Sequence, residues 1–220
     1  MKGMRWLVLV LLWGVASATL AFSPVPNTTT EPYEVQVISV SPEERREYLG
    51  TLTGDPQMYE ITSQEPFTLR AEVRQDAATS AVPFGLIAVR VNDGGRGVSE
   101  VARLNQPPQN WRMVSDSVYA LDWRVSDTLE AAVSAGTYRI EISTPENFGT
   151  YMLSIGPGEP ERSFFSALDT IRTVQAHFGY SVWRWFASSY VFYPLGILLV
   201  AGGIGATLYY RRRLAPAHTS

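Results

Sequence analysis

From Tyr33 the chain alternates between apolar and polar residues: Tyr33-Glu-Val-Gln-Val-Ile-Ser-Val40 turns every second side chain to the same side. This is the period of a strand with one face in a core and the other in water. Segments of the same kind recur at 47–53, 58–61, 67–73, 86–91, 117–125, 137–143 and 151–155, which makes about eight strands. Turn chemistry separates them, in Gly54-Asp55-Pro56, Glu65-Pro66, Asn92-Asp93-Gly94-Gly95, Gln106-Pro107-Pro108, Ala135-Gly136 and Pro145 to Gly149. A parallel sheet would need helices between the strands, and this stretch has no helical period. The predicted fold class is therefore mainly β, an antiparallel jelly-roll-like β-sandwich over residues 33–158. Arg139 to Ile142 and Tyr151 to Ile155, joined by the Pro145 to Gly149 turn, are expected to form its closing hairpin.

After the sandwich the period changes. Phe164, Leu168, Ile171, Val174, Phe178, Val182 and Trp185 recur at steps of three and four, which predicts an amphipathic juxtamembrane helix over 163–189. Gly179 interrupts the stripe and costs about 1 kcal/mol relative to Ala, so a bend is expected there. The stripe has three available partners: the sandwich, the membrane interface, or a second copy in a short coiled coil.

Residues 190–210 carry no charge, and at about 1.5 Å per residue they make a helix of about 31 Å, the thickness of a bilayer's hydrocarbon core. A transmembrane helix is expected, with the tail 211–220 cytoplasmic because Arg211, Arg212 and Arg213 follow at once. Trp183, Trp185 and Tyr190 on one flank and Tyr209, Tyr210 and the three arginines on the other are the candidate membrane-interface residues. Pro194 marks a place for a kink. Ala201, Gly202, Gly205 and Ala206 form a small-residue patch, a candidate helix–helix contact for a homo-oligomer or for another membrane protein, although glycine is common in membrane helices generally.

At the other end, Lys2 and Arg5 precede the apolar run Trp6 to Trp13, and Ala16-Ser-Ala18 and Thr19-Leu-Ala21 offer cleavage sites. That order reads as a signal peptide over 1–21; an uncleaved anchor is the rival reading, and both place Ser23 onward outside the cytoplasm. The Pro- and Thr-rich stretch 22–32 reads as a flexible lead. The localisation expected is a single-pass membrane protein with its N-terminal domain extracytoplasmic.

The 220 residues are 45% hydrophobic and 18% charged, proportions of a folded chain, and they include no cysteine, which favours a bacterial envelope over a disulfide-forming secretory route. Five of the 18 bases lie outside the middle of the chain, at Lys2, Arg5 and Arg211 to Arg213, whereas all 21 acids lie within it. An acidic middle repels phosphate backbones, so no nucleic acid partner is expected.

The run Gly50-Thr-Leu-Thr-Gly-Asp-Pro-Gln-Met-Tyr59-Glu-Ile, then Pro66-Phe-Thr-Leu-Arg-Ala-Glu-Val73, Ala135-Gly-Thr-Tyr-Arg-Ile-Glu-Ile142 and Gly149-Thr-Tyr-Met-Leu-Ser-Ile155 resembles the bacterial pre-peptidase C-terminal family over about Val35 to Ile155. The resemblance implies a non-catalytic β-sandwich with binding or chaperone-like roles and transfers no catalytic residue. Gln57 and Met58 stand where that family often has a second acid, which weakens any inherited cation site. In architecture alone the order of signal, sandwich, helix, span and basic tail is similar to the p24 cargo receptors with their GOLD domain, whose paired cysteines are absent here.

Nucleophilic catalysis needs a base, usually His, and the only histidines are His177 beside the span and His218 in the tail. A zinc site lacks its usual ligands in the sandwich. Oxygen ligands for calcium exist at Asn92 to Gly95 with Asp55, Asp116 or Asp127, but Asn-Asp-Gly-Gly is also ordinary turn chemistry. Glu43-Glu44, within Ser41 to Glu47, reads as a solvated surface turn rather than half of a carboxylate pair. Trp111, Tyr119 and Asp122-Trp123-Arg124 would stack on a sugar or a partner if exposed, and would fill the core if not. Asn27-Thr28-Thr29 fits a glycosylation acceptor in a eukaryotic host.

No catalytic residue, cofactor or metal is expected. The function read from the sequence is a non-enzymatic, membrane-anchored extracytoplasmic module that recognises a protein or a glycan at the cell envelope. The alternative is an accessory subunit of a membrane complex, engaged through the stalk and transmembrane helices, or a cargo receptor of the p24 kind.

Overall fold

The computed structural model describes residues 24–29, 31–39, 41–92, 94, 97–158 and 164–214. The signal segment, Asp93 and Gly95 of the candidate cation loop, and the tail beyond Leu214 lie outside the described residues, as do the side chains of Phe164 and Arg212.

Among the described residues twelve strands run along the chain: β1 (Val25–Pro26), β2 (Val35–Ile38), β3 (Arg46–Thr53), β4 (Gln57–Ser63), β5 (Phe67–Asp76), β6 (Phe84–Val91), β7 (Val98–Gln106), β8 (Arg112–Asp116), β9 (Leu121–Val125), β10 (Leu129–Val133), β11 (Gly136–Ser143) and β12 (Phe148–Ile155). They form two facing sheets, one in the order β1-β3-β12-β5-β9-β8 with β10 on the N-terminal half of β5, the other in the order β2-β4-β11-β6-β7. The mainly β sandwich is thus present, but the sheets are mixed: β1 lies parallel to β3, and β2 parallel to β4. From β1 to β6 each strand crosses to the opposite sheet, and a crossing connection lets the next strand in the same sheet run in the same direction.

The same crossing overturns the expected closing hairpin. β11 pairs β4 and β6 in one sheet, while β12 pairs β3 and β5 in the other, so Pro145 to Gly149 bridges the two layers. The lead expected to be flexible is partly bound: Val25 and Pro26 pair with Tyr48 and Leu49, and the Asn27 side-chain amide donates to the Tyr59 hydroxyl at 3.2 Å. Strands β1, β7, β8 and β10 are additional to the expected set. β7 carries a register shift opposite Ala88/Val89 that breaks its period of two, and β8 has no fully buried residue to reveal a face.

Between the sheets lies a core of Tyr48, Leu52, Tyr59, Ile61, Leu69, Val73, Phe84, Leu86, Tyr138, Ile140, Tyr151 and Leu153, among others. Its buried phenols are linked: the Tyr59 and Tyr151 hydroxyls are 2.9 Å apart, and Tyr151 donates to the Gln57 side-chain carbonyl. Gly50 makes this possible, since a Cβ there would run into the Tyr151 ring and lie 2.6 Å from Gln57 Oε1.

A second core lies on the far face of the first sheet. Leu49, Tyr119, Leu121, Trp123, Val125 and Met152 receive Ala167, Ile171 and Val174 of helix α1 (Phe164–His177), so β3 and β12 of the first sheet are buried on both faces and α1 adds a third layer there. Of the stripe read from the sequence, Ile171, Val174, Phe178 and Trp185 pack on the sandwich, whereas Val182 is exposed. The single helix expected over 163–189 is corrected: α1 stops at His177, where Gly179 (φ 79°) gives its N–H to the Ala176 carbonyl and Tyr180 gives its N–H to the Gln175 carbonyl. This pair of bonds is a Schellman cap, which ends a helix instead of bending it. A 3-10 turn (Val182–Ala187) follows, then helix α2 (Ser189–Leu214), which continues through Pro194.

Candidate functional site

The region where sandwich, stalk and apolar helix meet is the most elaborately built part of the molecule outside the core. β8 ends at Asp116, whose Oδ1 accepts the N–H groups of Val118 (2.9 Å) and Tyr119 (3.2 Å) and so shapes the loop Ser117 to Ala120. With those N–H groups satisfied locally, four consecutive carbonyls of the loop are left to accept bonds from the stalk. Ser117 O receives the Ser189 N–H at 2.8 Å. Val118 O receives the Ser188 hydroxyl at 2.6 Å, Tyr119 O the Gln175 amide at 2.8 Å, and Ala120 O Arg184 Nε at 2.9 Å. The loop is a clamp on the chain that leads into α2.

Side chains close the clamp on either side. Tyr180 donates to the Asp76 carboxylate, 2.9 and 3.1 Å from its two oxygens, and burial first, then this carboxylate, pushes the Tyr180 phenol above its ordinary pKa. The Arg184 guanidinium lies 5.2 Å over the Tyr180 ring. Phe178 meets Trp123 edge-on at 5.1 Å. His177 Nε2 is 3.2 Å from the Gly50 carbonyl, and burial holds the imidazole below its usual pKa.

The interface residues named from the sequence divide here. Trp185 and Tyr190 pack into the second core against the sandwich, whereas Trp183 is exposed. Tyr209, Tyr210, Arg211 and Arg213 are exposed on the last turns of α2, the Arg213 guanidinium 5.3 Å over the Tyr209 ring. Ala201, Gly202, Gly205 and Ala206 are exposed as well, and a Cβ at Gly202 or Gly205 would meet nothing within 4 Å. The clamp leaves no mark in the pattern of the sequence, since Gln175, Ser188 and the loop carbonyls carry no periodic signal.

The stacking option is overturned for Tyr119 and Trp123, which are fully buried, while Trp111 is half-buried against Phe84. No cluster of three metal-ligating side chains occurs among the described residues. At one end of the second sheet an open cleft of about 450 Å³ lies over Gly85, lined by uncharged residues including Phe84, Asn105, Gln106, Ser143 and Pro145. A Cβ on Gly85 would sit 3.4 Å from Ser143 Oγ and 3.8 Å from Asn105 Oδ1, so the bare glycine is the floor between a hydroxyl and an amide.

No family model matches the chain, and no curated protein matches it. Solved structures do. A mitogen from Yersinia pseudotuberculosis is 18% identical over 55% of this chain and 92% of its own, with a TM-score of 0.37. The pre-peptidase C-terminal domain of a Bacillus anthracis collagenase is 11% identical over 58% and 98%, with a TM-score of 0.33. An Aeromonas hydrophila periplasmic inhibitor of g-type lysozyme is 10% identical over 56% and 94%, also at 0.33. At these low scores and identities they assign the chain to no family.

Proposed function

We propose that this chain is a non-enzymatic, single-pass membrane protein whose extracytoplasmic sandwich recognises a protein or a glycan at the cell envelope. The observation that carries the reading is the four-carbonyl clamp, which joins a folded sandwich to the first residues of a helix long and apolar enough to cross a membrane, Ser189–Arg211. A helix that exposes Ile197, Leu198, Leu199 and Val200 together needs an apolar solvent, and lipid supplies one. The arginines that follow, Arg211 to Arg213, support a cytoplasmic C-terminus. The uncharged cleft over Gly85 suits a neutral ligand such as sugar hydroxyls or a peptide backbone.

The accessory-subunit reading is favoured by the unpartnered Ala201, Gly202, Gly205 and Ala206 patch. Photo-crosslinking of the full chain in its native membrane separates the two, with the crosslinker placed at Asn105 or at Ala201. A partner captured from Asn105 supports recognition by the sandwich. Capture from Ala201 alone overturns it in favour of the accessory subunit.

A further inference from the structure

We infer that the sandwich is seated directly on the bilayer surface, with Val182, Trp183 and Phe186 of the 3-10 turn inserted among the lipid headgroups. This rests on the proposal that α2 spans the membrane. The turn divides its side chains between two environments. Trp185 enters the second core against the sandwich, while Val182, Trp183 and Phe186 remain 53%, 74% and 43% exposed. Trp183 and Phe186 stack at 6.0 Å with 26° between their planes, so the outward side chains form one apolar surface.

The length of α2 fixes the level at which this surface lies. Ser188, bonded to the Val118 carbonyl, is wholly buried and Val191 is 9% exposed, whereas Phe192 and Tyr193 are 62% and 66% exposed. From Phe192 to Tyr210 there are nineteen residues, about 28 Å of helix at about 1.5 Å each, against a hydrocarbon core of about 30 Å. Those nineteen residues are needed to cross the bilayer, so none is left to act as a spacer. The sandwich keeps its hold on the helix up to the hydrocarbon boundary, and the 3-10 turn ends two residues before α2 begins. Its outward aromatics therefore lie at headgroup depth, where tryptophan partitions best. The occupant of the patch is the lipid interface, by continuity with the span.

The test uses the full chain in phosphatidylcholine nanodiscs, with tryptophan emission quenched by lipids spin-labelled high or low on the acyl chain. Shallow-label quenching is expected to fall about twofold in Trp183→Phe, with deep-label quenching little changed. The sequence contains no cysteine, so a spin label on Ser117→Cys reports the depth of the clamp loop independently, and a headgroup-level value is expected. Equal quenching of wild type and Trp183→Phe in loaded discs overturns the seating and leaves the span standing, as does a label at Ser117 in bulk water. A chain that fails to enter the discs and washes off membranes in carbonate overturns the span reading itself.

Discussion

Ala120 adopts a left-handed backbone conformation, φ 54°, and from it presents its carbonyl to Arg184 Nε at 2.9 Å. A residue with a Cβ costs about 1–2 kcal/mol in that region, and the Ser117 to Ala120 loop offsets the cost with the four bonds it accepts from the stalk. The joint between sandwich and membrane helix is thus made largely of main-chain acceptors, and its weak points are the side chains that donate to them.

Arg184→Ala is expected to loosen the joint by about 1 kcal/mol, since one exposed charged donor and its contact over Tyr180 are lost together. Faster amide exchange at 182–189, with the strands unchanged, is the readout. Arg184→Lys should recover little, because an ammonium cannot reproduce the flat contact.

Ile171→Ala removes a wholly buried side chain from the second core and is expected to cost about 2–4 kcal/mol of α1 docking. The intersheet core contains no residue of α1, so hydrogen exchange should rise in α1 before it rises in β4, β6 or β11. Simultaneous loss of protection in both layers would show that the two cores are not separable.

Gly50→Ala would drive a methyl group into the Tyr151 ring and break the run Tyr59–Tyr151–Gln57. The Tyr151 ring is wholly buried and cannot easily give way, so the loss is expected at about 2 kcal/mol. Thermal melts of the two forms in detergent measure it.

Burial lowers the pKa of His177, so the folded protein prefers the neutral ring and the unfolded chain binds the proton first. The sign follows: this contribution to stability is complete above the unfolded value of about 6.5 and is lost as pH falls through the lower folded value. A melting temperature that declines below about pH 6.5 in wild type and less steeply in His177→Gln is the expected result.

At the alkaline end, burial pushes Tyr48 and Tyr59 up to about 12. Raised phenols hold their protons in the folded state, so their contribution is whole below about pH 10 and fades as pH climbs through the folded value of about 12. Ultraviolet titration should show these two ionising only with unfolding.

Much of the molecule was legible along the chain. Alternation marked most strands because a sheet face in water and a face in a core demand different side chains, as in Phe67, Leu69, Ala71 and Val73 against Thr68, Arg70 and Glu72. The uncharged run before Arg211 marked α2 for the same reason, whereas Gly179, read as a bend, is where α1 ends, because its φ of 79° caps the helix.

Only the tertiary structure decided which strands are neighbours. A period of two says which side of a strand is apolar but not which sheet it joins, so Arg139 to Ile142 and Tyr151 to Ile155 looked like a hairpin and lie in opposite layers. It also decided that Trp185 packs against the second core while Trp183 stays exposed. The clamp itself was invisible beforehand, because a main-chain carbonyl accepts a hydrogen bond whatever side chain it carries, and Ser117 to Ala120 owe their role to where the fold places them.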